Sequence, residues 1–252
     1  MDLTDYRNSP LEKQRTADLM AKVPSGLDRV LDIGARDGFF SHLLAERSRS
    51  VTALDLECPS IKGERIECVQ GDATKLQFAD DTFDLVFCAE VLEHVPSVSL
   101  RQACTELARV SNRYLLIGVP YRQDTRLGRT TCSACGRKNP PWGHVNCFDE
   151  QRLADLFASC AAKERSFVGS TTEATNPVST ALMDWAGNPY GTYAQDEPCV
   201  HCGAPLGGPR ERSLLQKVFT RAAFTITGWQ RSFVKPRGNW IHVLFEKQAR
   251  PE

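Results

Sequence analysis

Three residues near the end of an apolar run at residues 30–33 could do chemistry. They are the carboxylate Asp32, within the run, and the glycines Gly34 and Gly38, which follow it in the sequence. The run is typical of a buried strand, and glycines let the backbone turn sharply and approach a ligand closely. The spacing Gly34-x-x-x-Gly38 departs from the dinucleotide-binding pattern G-x-G-x-x-G. A carboxylate at Asp32 opposes a pyrophosphate and favours a cationic ligand, so the turn indicates S-adenosylmethionine rather than NAD. An ordinary turn between a strand and a helix is the alternative interpretation.

Acidic residues also follow the next two predicted strands. Asp55 lies near the end of the segment 51–56, and Asp72 follows the segment 65–70. A carboxylate after the second strand can accept hydrogen bonds from both ribose hydroxyls of an adenosine. The Asp72 carboxylate can reach the exocyclic amine of an adenine. Both acids would then serve one nucleoside site, although a solvated acid at a strand end is the simpler interpretation of Asp55.

Ten cysteines are present, and four of them form two Cys-x-x-Cys-Gly motifs, which supply Cys132, Cys135, Cys199 and Cys202. Each pair can form a thiolate knuckle, and two knuckles make a closed, tetrahedral Cys₄ zinc site of the structural kind. Such an ion would join the two segments that carry the motifs into one lid. The alternatives are a disulfide or redox pair and coincidence, and His144 or His201 could replace a cysteine ligand.

Two histidines are candidate catalytic bases for transfer of a methyl group to a hydroxyl. Histidine can remove the hydroxyl proton near neutral pH. His94 follows the fourth predicted strand, and His144 precedes the helix that is predicted at residues 149–162. A structural or cofactor-side position is the alternative for His94.

The elements that must position these residues alternate along the chain. Apolar runs predict strands at residues 30–33, 51–56, 65–70, 82–88, 114–120, 165–168 and 240–246. Helical patterns are found at residues 10–21, 39–46, 99–110 and 149–162. This alternation predicts a parallel sheet with helices on both faces. Ligands are expected at the carboxyl ends of such strands.

Charge and hydropathy argue against a nucleic-acid-binding or membrane-spanning protein. The 252 residues include 31 basic and 31 acidic side chains, which gives no global signal for a polyanionic partner. Nucleic acid is therefore an unlikely partner on sequence grounds. No apolar run is long enough to span a bilayer, and the amino terminus has no signal-peptide pattern, so we expect a cytoplasmic protein.

With these pieces assembled, residues 25–120 resemble the class I S-adenosylmethionine-dependent methyltransferases of the type 11 group. The resemblance rests on the first glycine turn, on Leu54-Asp55, on Gly71-Asp72-Ala73, on residues 83–86 with 91–95, and on a fifth strand that ends at Pro120. It implies a Rossmann-like, seven-stranded, mostly parallel sheet whose last strand is antiparallel. The cofactor-binding residues that it implies are Asp32, Gly34, Ala35, Gly38, Asp55, Leu56, Asp72, Ala73, Cys88 and Glu90. One departure is Arg36, where the family often has a third glycine.

The remaining segments are interpreted as additions to that sheet. We divide the chain into a cofactor-binding core at 1–120, a first lid insertion at 121–148, a core helix and strand at 149–169, a second lid insertion at 170–238 and a last strand and tail at 239–252. The second insertion contains a basic, amphipathic segment at 210–237. We expect a lid helix that packs its apolar face, or else a surface for an anionic or lipid-linked substrate.

The sequence therefore predicts an S-adenosylmethionine-dependent methyltransferase with a structural zinc ion, acting on the hydroxyl of a saccharide or another small molecule. The acceptor is an inference by analogy. The alternatives are an RNA methyltransferase that binds through its zinc module and a non-catalytic, zinc-stabilised binding protein. Retained affinity for S-adenosylmethionine would distinguish the enzyme from the binding protein.

Overall fold

A seven-stranded sheet with the order β3-β2-β1-β4-β5-β9-β8 dominates the computed structural model, which describes residues 7–248. Its strands are β1 (Leu27–Ile33), β2 (Ser48–Asp55), β3 (Ile66–Gln70), β4 (Phe83–Ala89), β5 (Ser111–Pro120), β8 (Cys160–Val168) and β9 (Trp240–Lys247). The first five strands are mutually parallel, and β9 lies antiparallel between β5 and β8. This is the Rossmann-like, mostly parallel sheet that the sequence predicts. Residues 1–6 and 249–252, at the ends of the first and last predicted segments, lie outside the described residues.

Alternating side chains along the central strands build a hydrophobic core on each face of the sheet. Leu31 and Ile33 of β1 belong to one core, whereas Val30 belongs to the other. Helices α1 (Pro10–Lys22) and α2 (Phe39–Ala45) supply the second core with Leu19 and Leu44. Helices α3 (Leu100–Val110) and α4 (Glu150–Leu156) cover the first core. Because both faces are covered, the central strands are continuous apolar runs in the sequence.

Helix α4 is shorter than the helix predicted at residues 149–162. It begins after Asp149, whose side chain accepts the Arg152 amide, and it ends at Leu156, because Phe157 leaves the helical conformation. Residues 160–162 belong to β8 instead and pair with residues 245–247 of β9. Pairing across the sheet outweighs the local helical pattern, as tertiary context often does.

The chain divides into two compact units. Among the described residues, the sheet unit contains 7–121, Phe148–Gly169 and 238–248. The cysteine unit contains Arg122–Cys147 and Ser170–Arg237. Its elements are β6 (Thr130–Thr131), β7 (Lys138–Asn139), a 3₁₀ turn at Pro141–Gly143, and helices α5 (Pro177–Trp185) and α6 (Leu214–Arg231). Helix α6 begins with a capping box between Ser213 and Gln216.

Helix α6 does not pack in the way we expected from its sequence. Its buried residues are the small or polar Thr220, Ala223 and Thr227. Large apolar side chains on the helix are exposed, including Leu214 and Trp229. The expectation of a helix that buries its apolar face is therefore wrong for most of that face, although Phe219 and Ile226 are partly buried. None of the helices described is long and apolar enough to cross a bilayer.

Candidate functional site

The turn after β1 is tied to the end of the neighbouring strand β2. The amide groups of Gly34 and Ala35 both donate to the Leu54 carbonyl, at 2.8 and 3.1 Å. Gly34 and Gly38 have φ angles of 75° and 83°, in the left-handed region where glycine is favoured. A Cβ atom on Gly34 would lie 2.4 Å from Val91 Cγ2. Glycine at this position is therefore required by both backbone conformation and space.

Arg36 adopts a left-handed backbone conformation within the same turn, with a φ angle of 49°. This conformation costs little for glycine and more for other residues, which explains why a glycine is common at this place in the resembling family. The Arg36 amide donates to Asp55 Oδ2 at 2.9 Å. The turn and the Asp55 side chain are therefore joined directly.

Asp32 is buried beneath the turn, with only 2% of its surface exposed. Its Oδ2 atom accepts a hydrogen bond from the Ser41 hydroxyl at 2.6 Å. Burial raises the pKa of Asp32 to about 7, although the Ser41 hydrogen bond lowers it, and the negative charge of Asp55 raises it further. Ser41 is the third residue of α2, and nothing in the local sequence pattern marks it as a partner of Asp32.

Asp55 is the last residue of β2, and Asp72 follows the carboxyl end of the adjacent strand β3. Asp55 Oδ1 accepts the Leu56 amide at 2.7 Å. Asp72 Oδ1 accepts both the amide and the hydroxyl of Thr74, each at 2.8 Å. The Leu56 side chain is 67% exposed, whereas Ala73 is buried. These strand ends thus present carboxylates together with an exposed apolar side chain.

The end of β4 contributes Cys88 and Glu90. Cys88 is fully buried, and burial raises the pKa of its thiol well above the ordinary value. Glu90 has a φ angle of 59°, and its amide donates to the Gly118 carbonyl at 2.9 Å. Its carboxylate accepts the indole N–H of Trp240 at 3.2 Å and lies 3.5 Å from Arg15 Nη1. Arg15 and Trp240 were missed by the sequence analysis because they are far from the motif in the chain.

Together, these contacts place one set of cofactor-binding candidates at the carboxyl edge of four adjacent strands, in the order β3-β2-β1-β4. The strand ends are level, since Ile33 pairs with Leu54 and Cys88, and Asp55 pairs with Gln70. Ligands of open α/β sheets bind at this edge. The arrangement offers a buried carboxylate, strand-end carboxylates and turn amides to a ligand with cationic and hydroxyl groups.

The two candidate bases lie in different units. His94, in the sheet unit, is partly buried in the turn after β4, and its amide donates to the Val91 carbonyl at 3.0 Å. His144, in the cysteine unit, is buried, and its Nδ1 lies 2.6 Å from Gln123 Oε1. In the tautomer in which Nδ1 of His144 donates to this amide oxygen, Nε2 holds the lone pair.

The four motif cysteines converge within the cysteine unit. Their four sulfur atoms all lie within 4.8 Å of one another; the residues are Cys132, Cys135, Cys199 and Cys202. The separations are 3.8 Å between Cys132 and Cys202 and 3.7 Å between Cys135 and Cys199. Ligands about 2.3 Å from a tetrahedral zinc ion lie about 3.8 Å apart, whereas a disulfide requires about 2.05 Å. These four side chains could therefore hold one tetrahedral metal ion.

The two Cys-x-x-Cys-Gly motifs also have the same backbone geometry. Gly136 and Gly203 each have a φ angle of 70°, and their amides donate to the carbonyls of Cys132 and Cys199 at 3.0 and 2.8 Å. His201 is not part of the sulfur cluster, since its Nε2 contacts the Lys138 carbonyl at 3.0 Å. His144 is not part of it either. The group is therefore formed by four thiols.

Comparison with known proteins concerns a segment that lies within the sheet unit. Residues 31–113 match the methyltransferase domain family. A ubiquinone biosynthesis O-methyltransferase from Paracidovorax citrulli is 31% identical over 93 residues, which cover 32% of this chain and 39% of that protein. The biotin biosynthesis bifunctional protein BioHC from Cellvibrio japonicus is 36% identical over 108 residues, which cover 40% of this chain and 21% of that protein. The chain therefore spans well under half the length of these curated relatives.

Similarity to a solved structure extends over nearly the whole chain. The N-methyltransferase NodS from Bradyrhizobium japonicum WM9, in complex with S-adenosylhomocysteine, matches with a TM-score of 0.55 and 15% identity. The match covers 98% of this chain and 92% of that one. At this identity the likeness concerns the fold. The chain accordingly has a Rossmann-like methyltransferase fold, within which residues 31–113 match a methyltransferase domain.

Proposed function

We propose that this protein is an S-adenosylmethionine-dependent methyltransferase that O-methylates a small-molecule hydroxyl. The observation that carries the proposal is the alignment of Asp32, Asp55 and Asp72 at one edge of the sheet, within the segment that matches a methyltransferase domain. S-adenosylhomocysteine in the similar NodS structure supports the choice of cofactor.

Each strand end has a specific proposed role. Asp55 accepts hydrogen bonds from the ribose hydroxyls while the Arg36 and Leu56 amides hold its carboxylate in place. The exposed Leu56 side chain packs against the adenine, and Asp72 and Ala73 meet the polar edge of that base. Asp32, with the turn at Gly34, Ala35 and Gly38, receives the cationic methionine end. The backbone from Cys88 to Glu90 closes the site.

The chemistry that the cofactor supplies is a sulfonium methyl group, open to in-line displacement by a nucleophile. The protein must align the acceptor hydroxyl and remove its proton. We propose His144 or His94 as that base. In His144 the contact with Gln123 directs the lone pair to Nε2, which is the atom that would accept the proton. His144→Gln should then lower kcat by about a hundredfold and leave cofactor affinity unchanged, whereas the same result for His94→Gln would assign the base to His94.

The acceptor class rests on analogy with the relatives. Several of them are named ubiquinone biosynthesis O-methyltransferases, which supports a hydroxyl acceptor. A saccharide hydroxyl and an anionic or lipid-linked acceptor are finer proposals within that class. An assay of catechols and monosaccharides with radiolabelled S-adenosylmethionine distinguishes these acceptors. Transfer of label to a monosaccharide would support the saccharide hydroxyl, and transfer only to catechols would contradict it.

Calorimetric titration with S-adenosylmethionine and S-adenosylhomocysteine tests the cofactor site. Asp55→Ala should weaken the binding of both by at least about tenfold, since a charge-assisted hydrogen bond contributes about that much. Asp28→Ala is the matched control, because Asp28 is an exposed acid at the opposite end of β1. Absence of binding to the unmodified protein, or an equal loss in both variants, would contradict the proposal.

We also propose that Cys132, Cys135, Cys199 and Cys202 bind one structural zinc ion. The near-tetrahedral sulfur separations and the paired glycine turns support this. Burial disfavours the charged form of Cys199, but the amides of His201 and Cys202 donate to its sulfur and lower its pKa below the ordinary value. Four thiolates would leave no open coordination position, so the ion would have a structural rather than a catalytic role.

A further inference from the structure

Helix α6 has a stripe of apolar side chains that, within residues 7–248, are exposed and not packed against the rest of the protein. Leu214, Leu215, Val218 and Trp229 are 80%, 61%, 59% and 74% exposed. At 3.6 residues per turn they lie on one side of the helix, opposite the buried Thr220, Ala223 and Thr227. Phe233, just beyond the helix, is 73% exposed and contacts the Trp229 ring edge-on, with 5.7 Å between ring centroids. We define these five exposed residues as the α6 stripe.

Cations border this stripe along one side. Lys217 and Arg221 are exposed and lie between the stripe and the buried side of the helix. Within residues 7–248 neither forms an ion pair, and neither does the exposed Lys235 that follows the helix. Segment 210–237 contains seven basic residues and one acid, Glu211. The stripe is therefore flanked by uncompensated positive charge in a protein whose formal net charge is zero.

We propose that the α6 stripe and its flanking cations dock onto an anionic lipid bilayer. A helix with aliphatic and aromatic side chains on one face and lysine and arginine beside them is suited to lie in the headgroup region. Anionic headgroups match the charge of Lys217, Arg221 and Lys235. The helix would lie on the bilayer rather than span it, in agreement with its lack of a membrane-spanning stretch.

The same charges disfavour the other occupants of this face. In a two-fold dimer formed through the stripe, Lys217 and Arg221 of both copies would approach one another, with Glu211 as the single acid of the segment to oppose them. A nucleic acid would satisfy the cations, but it would leave Leu214, Leu215 and Val218 exposed or set against phosphates. In a bilayer, the acyl chains can bury the aliphatic side chains while anionic headgroups pair with the cations. The proposal does not depend on methyl transfer.

Flotation of the 252-residue chain, purified in the presence of zinc, with vesicles tests this proposal. We expect binding to vesicles rich in phosphatidylglycerol to exceed binding to pure phosphatidylcholine by at least about tenfold at low salt, and to fall at high salt. Quenching of tryptophan fluorescence by lipids with brominated acyl chains should accompany binding and should be lost in Trp229→Phe. No binding to anionic vesicles, or binding without quenching, would overturn the proposal.

Variants separate the two parts of the surface. Leu215→Ser with Trp229→Ser should lower vesicle binding by about tenfold or more, and so should Lys217→Glu with Arg221→Glu. The matched controls are Val98→Ser, at a residue that is 95% exposed in the sheet unit, and Lys13→Glu with Arg101→Glu. The controls should bind as the unmodified protein does. Circular dichroism confirms that each variant is folded, which is expected because the substituted side chains are exposed.

Other occupants would give different results. A dimer in solution that Leu215→Ser dissociates would assign the stripe to a second copy of the chain. Binding of a mixed-sequence RNA that Lys217→Glu abolishes, without binding to vesicles, would assign the cations to nucleic acid. Either result would overturn the assignment to lipid.

Discussion

Asp32 combines complete burial with a position beneath the turn that we assign to the cationic end of the cofactor. Its pKa of about 7 means that near neutral pH part of the protein carries a protonated, uncharged Asp32. A cationic ligand favours the ionised form, so binding below pH 7 must be accompanied by loss of this proton. We therefore expect affinity for S-adenosylmethionine to fall by up to about tenfold for each unit that the pH drops below 7.

Calorimetry between about pH 5.5 and 7 checks this expectation. Asp32→Asn removes the titrating group while keeping its size and one oxygen for Ser41. In that variant the affinity should be lower at pH 7 and should change little with pH. Parallel pH profiles for the two proteins would show that a different group controls binding.

Glu93 is a second buried carboxyl group in the sheet unit, and its burial affects how stability depends on pH. It is fully buried, and neither carboxyl oxygen has a hydrogen-bond partner among residues 7–248. Burial, followed by the charge of Glu90, raises its pKa well above the ordinary value of 4.5. The folded protein therefore keeps this group protonated at pH values where the unfolded chain loses the proton.

The sign of the effect follows from that difference. Below pH 4.5 Glu93 is protonated in both the folded and the unfolded chain and does not lower the free energy of unfolding. As the pH rises from 4.5 toward the raised pKa, the free energy of unfolding falls by up to about 1.4 kcal/mol per pH unit. Glu93→Gln should flatten the dependence of the unfolding free energy on pH between about 5 and 8. Urea denaturation at several pH values measures this, and equal slopes in the two proteins would contradict the prediction.

At the scale of elements, the turn between β1 and α2 allows a paired test of its two left-handed positions. Gly34→Ala places a Cβ atom 2.4 Å from Val91 Cγ2 and strains the backbone, so cofactor affinity should fall by about tenfold or more. Arg36→Gly relieves the left-handed strain at residue 36 and keeps the amide that donates to Asp55. Its affinity should stay within about threefold of the unmodified protein. A large loss in Arg36→Gly would give the arginine side chain a binding role.

The strands were the part of the fold that the sequence predicted best. Central strands such as β4 and β5 are buried on both faces, so their apolar runs are continuous and directly visible. The helix at 149–162 was extended too far because the pattern cannot reveal that residues 160–162 pair with β9. Local periodicity reports which face is apolar, whereas strand pairing depends on residues some eighty positions away.

Helix α6 shows a different limit of sequence interpretation. Its apolar positions have helical spacing, and the helix is present, but its most buried residues are small or polar and lie opposite the exposed apolar ones. Thr220, Ala223 and Thr227 are its buried residues, the helix contacts α5, and Asn176 of the α5 cap donates to Gln230 at 2.6 Å. Small and polar side chains that make an interhelical contact give no distinct signal in a sequence. Likewise, the partners Arg15, Ser41 and Trp240 became evident only from the folded chain.

At the scale of the whole molecule, the two units have different kinds of interior. The large hydrophobic clusters contain residues of the sheet unit alone. The buried residues of the cysteine unit are mostly small or polar and include Thr130, Asn139, Ser179, Asn188, Cys132 and Cys199. A unit with few large apolar side chains inside requires other sources of stability, and a structural metal ion commonly supplies it. The cysteine unit should therefore depend on zinc, whereas the sheet unit should not.

Cys132→Ser tests this difference, with Cys58→Ser as control because Cys58 is an exposed free cysteine of the sheet unit. Elemental analysis should find about one zinc ion per chain in the control and a loss of most of it in Cys132→Ser. Hydrogen–deuterium exchange should then become fast in Arg122–Cys147 and Ser170–Arg237 together, since both segments contribute ligands. Strands β1, β4 and β5 should keep their protection, because their cores contain none of the four cysteines. Unchanged zinc content would contradict the shared site, and loss of protection throughout the sheet would contradict the independence of its core.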